Sequence, residues 1–528
     1  MAIALPRARI QLTRAPLGVL ALALVVVACV LLTPVYLIIR AAESADVWAQ
    51  LSDASTVTAL GNTLLLTLTV TATSIFIAVP LAWLSGRTDL PLHRVWTVLL
   101  ALPLAVPSFV GGYVMVSALG PGGLLQDLLE PFGIDRLPSI YGFWGAWFVL
   151  TLLSYPYVFI QVRAALRRVD PALEEASRSL GKGPWETFLR VNLPQLKPSI
   201  SAGALLIALY TVSEFGAVSM LRFDTLTPLV YIQYTTSFDR AAAAALGLPL
   251  IGLALLFVLV DGMTRGQARY YPRGQQRPSR QLKLARWRWP AFGLCALVAA
   301  LGIGVPVFVI AYWLIQGLSQ DNTTTFVGEA IVNSGRASGM AAAGAALACL
   351  PIALLSVRYP GWLSGLLEKA SYSGQALPAI TIALALVFFA ANYLTPLYQT
   401  IWVLVFAYTV RFMPEALGAT RSALLQVNPS TEEAARSLGA GPVRTFARVT
   451  VPQIVPGVSA GMVLVFLTAM KELPITILLS PIGFDTLATE IWNATSEAFF
   501  TRAALPSLIL LAISGAAVML MLRRERLS

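Results

Sequence analysis

DPALEEASRSLGKGPWETFLRVNLPQLKPSISAG, residues 170–203, returns 258 positions later as NPSTEEAARSLGAGPVRTFARVTVPQIVPGVSAG, residues 428–461, with 20 of 34 positions identical. Upstream at the same shift, Pro156 pairs with Pro414 and Arg163 with Arg421. At a shift of 271, Asn62, Pro80 and Arg87 pair with Asn333, Pro351 and Arg358. Downstream, Phe223-Asp224-Thr225-Leu226 recurs as Phe484-Asp485-Thr486-Leu487. The chain is a duplication, and its best-preserved stretch is hydrophilic.

Around those stretches the sequence is apolar. Of 528 residues, 57% are hydrophobic and 12% charged, against about 25% charged in soluble domains. That composition excludes a soluble globular enzyme and a disordered chain, and three Cys cannot staple a secreted scaffold. A polytopic all-α membrane protein remains. One His and three scattered Cys provide no metal-ligand set, so no metal centre and no bound cofactor are expected. Twelve transmembrane helices are expected at 18–39, 61–84, 95–119, 141–162, 200–221, 243–262, 291–316, 338–357, 372–391, 398–418, 458–480 and 503–522. Pro103, Pro107 and Pro378 make the third and ninth the least regular. The first run lacks a small-residue cleavage site and reads as a retained anchor.

Charge sets the orientation. With the N-terminus inside, 30 of the 37 Lys and Arg fall on cytoplasmic segments and 6 on the outer ones, with Lys471 inside a span. The positive-inside rule then places both termini in the cytoplasm. The net charge of +11 is thereby a topology signal, and nucleic acid is not an expected partner. The domain reading is two six-helix halves, 1–262 and 291–528, joined by a basic linker, 263–290, with eight Lys and Arg between 265 and 288 and no acid between 263 and 290. The linker reads as lying on anionic lipid head groups, with a dedicated regulatory site as the alternative. Two halves in the same orientation imply a pseudo-two-fold axis along the membrane normal and a pathway between them.

The duplicated loops, about 170–198 and 428–456, have a readable local structure. Asp170 and Asn428 are N-caps followed by Pro171 and Pro429 at the first helical position. Glu174-Glu175 and Glu432-Glu433 lie near the positive helix start. Gly181 and Gly439 follow Leu180 and Leu438 as C′ residues. A second short helix starts at Pro184 or Pro442 and is expected to stop before Pro194 or Pro452. Surface-lying amphipathic helices are one reading of these loops. The defined turn and paired acids, without a Lys-rich polar face, fit a docking knob better, and two knobs fit two partner copies.

These residues resemble the EAA loop of binding-protein-dependent ABC importer permeases: Glu174, Glu175, Ala176, Gly181 and Pro194, and again Glu432, Glu433, Ala434, Gly439 and Pro452. The resemblance spans essentially all twelve helices. It implies that both loops are coupling helices seating in two copies of a cytoplasmic ATPase subunit, which use ATP and Mg. It also implies alternating access and an extracytoplasmic solute-binding protein that delivers cargo through the bacterial inner membrane. The chain itself contains no G-x-x-x-x-G-K-[ST] pattern and is not expected to be an enzyme.

Charged groups inside spans are costly and mark function. Glu214 and Glu472 stand at matching repeat positions, with Lys471 beside the second. They read either as a translocation-pathway or gate pair or as structural carboxylates bonded to neighbouring groups. The stretch Lys471-Glu472-Leu473-Pro474 through Ile491-Trp492 is similar to fused permeases of iron(III) importers, implying iron(III) as cargo. Fused thiamine and aminoethylphosphonate permeases share this architecture and remain alternatives. A proton- or sodium-coupled carrier would leave the duplicated loop without a role, and no clustered nucleophile and base suggests a membrane enzyme.

Overall fold

In the computed structural model, residues 16–43, 47–133, 137–167, 171–236, 240–264, 282–319 and 327–527 are described. Their regular structure is helical; among them the only β-pairing is an isolated bridge between Thr88 and Leu282. Most of the basic linker, and the expected N-cap Asp170, lie outside the described residues.

Among the described residues, ten helices are long and apolar enough to cross a bilayer, eleven if one bent pair counts as a single span. The expected fifth and ninth spans are the two without a single qualifying helix. The fifth, expected at 200–221, is the helix Leu193–Val212 followed by a break and the short helix Gly216–Met220. Gln195, Lys197 and Pro198 occupy its first two turns, which lowers its apolarity. The ninth is split into Trp362–Ala376 and Ala379–Tyr393, which meet at 100°. Pro378 stands at that corner, where its ring and missing N–H end the ladder. The third is likewise broken at Pro103 and Pro107 into His93–Leu99, the tight turn Leu102–Ala105 and Ser108–Leu119.

The compact units do not coincide with the covalent halves. Of the described residues, one takes those within 16–35, 335–375 and 401–469, and the other takes those within 36–334, 376–400 and 470–527. Both contain one equivalent helix–helix seam, closed by the glycine that ends each copied stretch. A Cβ on Gly203 would sit 2.7 Å from the Val158 backbone, and one on Gly461 would sit 3.0 Å from the Ala416 backbone. A Cβ at Gly203 would force a shift, and one at Gly461 would need its neighbour to give by a few tenths of an ångström; Leu193–Val212 lies against Phe143–Leu166 and Val451–Ala469 against Ile401–Gln426. Those seams position the loop ahead of each glycine.

Candidate functional site: the duplicated loop and the broken-helix carboxylates

Each loop opens with a nine-residue helix, Pro171–Ser179 or Pro429–Ser437. In the second copy Asn428 caps the helix as expected, its side chain accepting from the Ser430 N–H at 3.1 Å. The stop is built identically twice. Gly181 and Gly439 adopt φ +80° and +84°, a left-handed conformation that costs an L side chain roughly 1–2 kcal/mol. Their N–H groups donate to the Arg178 and Arg436 carbonyls, and the next N–H groups, of Lys182 and Ala440, donate to Ser177 and Ala435. That pair of bonds satisfies carbonyls the helix end leaves open.

Beyond the turn the structure corrects the expected stop before Pro194 and Pro452. The chain passes from Pro184–Thr187 through a π-turn, Phe188–Asn192, directly into Leu193–Val212. The second copy does the same through Phe446–Thr450 into Val451–Ala469. In each π-turn the N–H before the proline reaches back five residues, Leu193 to Phe188 and Val451 to Phe446. Widening the turn relieves the proline ring and absorbs its missing donor, so the helix continues.

The paired glutamates have different environments. Glu174 Oε1 lies 3.1 Å from an Arg87 guanidinium nitrogen and accepts from the Asn192 amide at 3.0 Å. Glu432 Oε1 accepts from Arg358 at 2.9 Å and from the Thr450 hydroxyl at 2.9 Å. Both are largely buried, and both latch the loop to the last residue of a long helix, Ala54–Arg87 or Val327–Arg358. Glu175 and Glu433 are exposed, as are Ala176 and Ala434. Beside them the leucines ahead of each glycine stand free of the fold, Leu180 at 80% and Leu438 at 89% exposure. Each loop thus presents a small acidic and apolar face on a buried ionic root. Near the first turn, Lys182 donates to Glu186 at 2.6 Å. That bond, with the charges of Lys182 and Arg190, holds the Glu186 carboxyl below the usual carboxylate range. Its stabilising share is present above the ordinary pKa and fades as pH falls through the lowered value.

Glu214 and Glu472 occupy helix breaks. Glu214 lies between Leu193–Val212 and Gly216–Met220, is buried, and accepts from the Ala217 N–H at 2.9 Å. Ser108 and Tyr210 stand beside the same carboxyl. Glu472 lies between Val451–Ala469 and Pro474–Leu479 and accepts from the Ile475 N–H at a long 3.5 Å. Each carboxylate caps the short helix after its break, satisfying a donor that hydrocarbon cannot. Lys471 reaches the Leu104 carbonyl at 3.4 Å, in the stretch broken by Pro103 and Pro107.

In the sequence Arg87 and Arg358 stand out only as repeat markers, and nothing local singles out Asn192, Thr450, Leu180 or Leu438 as functional residues. The shared shift of the arginines was a signal; Asn192 and Thr450 differ in type, so identity could not pair them. A second repeated device joins the other ends of the long helices. Asn62 donates to the Asp224 carbonyl at 2.8 Å and Asn333 to the Asp485 carbonyl at 3.1 Å. The following hydroxyls, of Thr63 and Ser334, accept from Leu226 and Leu487. Both copies of Phe-Asp-Thr-Leu are pinned this way.

Comparison with known proteins agrees with the duplication. The family described as "Binding-protein-dependent transport system inner membrane component" matches twice, over residues 74–265 and 342–525. The chain is 36% identical over 467 residues to the Fe(3+)-transport system permease protein FbpB 2 of Haemophilus influenzae, covering 88% of this chain and 89% of that one. It is 26% identical over 394 residues to the ferric transport system permease protein FbpB of Actinobacillus pleuropneumoniae, covering 70% and 57%. The molybdenum transport system permease protein ModB of Escherichia coli K12 aligns at 31% identity over 208 residues, which is 90% of that protein but 37% of this chain.

Proposed function

The chain belongs to the family of binding-protein-dependent transport system inner membrane components, and from that premise we propose that it is the whole membrane pathway of an ATP-driven iron(III) importer. The observation that carries this reading is the twice-built loop, each copy rooted by a buried Arg–Glu latch and presenting an exposed Glu-Ala-Leu face. A loop needed only for membrane insertion has no use for an identical ionic root and an outward leucine. Two such faces suit two copies of a separate ATPase subunit on the side that the charge bias assigns to the cytoplasm. Iron(III) comes from the names of the two relatives that cover most of this chain. Thiamine and aminoethylphosphonate are the competing cargoes.

Force entering a loop would pass through Glu174–Arg87 to one long helix and through Glu432–Arg358 to the other. Twenty-five residues separate Asn62 from Arg87, and Asn333 from Arg358, so each helix segment is a strut of roughly 38 Å at 1.5 Å per residue, with Pro80 or Pro351 within it. Its far end grips the Phe-Asp-Thr-Leu turn. Glu214 and Glu472 hold the broken helices, and their capping bonds support a structural role over a bare carboxylate lining a cation path.

The decisive experiment reconstitutes the chain with its ATPase subunit in liposomes and supplies radiolabelled iron(III) on the binding protein. Uptake is expected only with ATP, ATPase and loaded binding protein together. Uptake of thiamine or aminoethylphosphonate instead would replace the cargo, and flux without the ATPase would overturn the assignment.

A further inference from the structure

We propose that Lys283, Arg286 and Arg288, with Trp287 and Trp289, form an anionic-phospholipid site wired to the first loop alone. The stretch 285–290 is exposed along its whole length, with Trp287 at 62% and Trp289 at 71%. It opens the span Ala285–Leu318. Its 34 residues measure roughly 51 Å at 1.5 Å per residue of ideal helix, beyond about 30 Å of hydrocarbon, and the end bearing Arg286, Trp287, Arg288 and Trp289 is the one suited to the head-group layer. Indole rings favour that layer, and Lys and Arg there attract acidic lipid. Trp289 meets Phe292 edge-on at 5.9 Å, and Phe292 meets Trp96 at 5.0 Å, which fixes the foot against the short helix His93–Leu99.

What makes the site more than a basic edge is the clamp behind it. Leu282 donates to the Arg87 carbonyl at 2.9 Å and accepts from the Asp89 N–H at 3.0 Å. The Asp89 carboxylate accepts from the Leu284 N–H at 2.8 Å. Arg87 is the residue that roots Glu174, so lipid held at 283–289 is three bonded steps from the first loop. Among the described residues the second half has no such clamp: at the repeat shift Thr88 and Asp89 become Tyr359 and Pro360, and Pro360 has neither the carboxylate nor the N–H. Acidic lipid therefore stiffens the first loop and leaves the second unaffected.

The inference rests on the importer reading for its biological meaning, but its test needs neither ATPase nor cargo. The full chain is placed in nanodiscs holding brominated phosphatidylglycerol or brominated phosphatidylcholine at equal fraction. Quenching that is lost in Trp287→Phe/Trp289→Phe is expected to be several-fold stronger with phosphatidylglycerol, and that preference is expected to vanish in Lys283→Gln/Arg286→Gln/Arg288→Gln. Hydrogen exchange is then read at 173–182 and 431–440. Phosphatidylglycerol should slow exchange only in the first window, and Asp89→Ala should abolish that slowing while retaining the quenching preference. Equal quenching by the two lipids, or equal protection of both loops, overturns the proposal.

Discussion

Two neighbouring glutamates that look alike in sequence have divided tasks. Glu432 is buried between Arg358 and Thr450, whereas Glu433 faces outward. Removing one member of a buried ion pair strands the other and costs roughly 3–5 kcal/mol. Glu432→Ala is therefore expected to lower the unfolding midpoint of the purified chain and to speed proteolysis at the loop. Glu433→Ala should leave both unchanged while weakening retention of the ATPase subunit on a column. Equal thermal losses would show that the two acids are not divided in this way. Sequence could place both glutamates at a helix start but could not separate them, because the arginine that distinguishes them lies 74 residues away. Gly439 was legible for the opposite reason: a left-handed stop is a local demand. A Cβ there meets open space, so only backbone strain opposes substitution. Gly439→Ala should cost roughly 1–2 kcal/mol, with Gly439→Asn milder, as read by exchange of the 436–440 amides.

Helices were legible where the apolar run was uninterrupted and misread where proline or a carboxylate intervened. Pro194 and Pro452 suggested ends, yet the π-turns before them carry the helix on. The expected fifth span failed in the other direction: Glu214 marks a break in what hydropathy alone joins into one rod. The struts were visible only as paired Asn and Arg at one shift, since nothing local indicates that Asn333 reaches the Asp485 carbonyl. Losing that amide leaves a carbonyl without its donor, at about 1–3 kcal/mol. Asn333→Ala should accordingly raise hydrogen exchange across 484–490, and Asn62→Ala should do so across 223–229. Val332→Ala, beside Asn333 but largely exposed, should change neither window. A response to Val332→Ala as large as that to Asn333→Ala would show that the pinning is not specific.

At the scale of the molecule, the source of energy separates the importer from the coupled carrier that also fits a twelve-helix, two-half sequence. A carrier moves solute by ionisable groups that bind and release protons along a path. Here Glu214 accepts from the Ala217 N–H and Glu472 from the Ile475 N–H, so on the structural reading proposed for them protonation would weaken caps rather than load a carrier. An ATP-driven permease instead requires differential affinity of nucleotide and loaded binding protein for two conformations, applied through the two loops. In proteoliposomes containing chain and ATPase, with ATP and loaded binding protein supplied, collapsing the proton gradient with an ionophore should leave uptake within about twofold, since no step of the rocking cycle draws on that gradient. Replacing ATP by a non-hydrolysable analogue should stop turnover after a single cycle. Abolition by the ionophore with ATP still present would assign the work to the gradient and reduce the duplicated loops to scaffold. The double variant Glu432→Ala/Glu174→Ala should show the complementary pattern: ATPase binding persists through Glu175 and Glu433, yet hydrolysis runs without uptake because the ionic roots that pass force to Arg87 and Arg358 are gone.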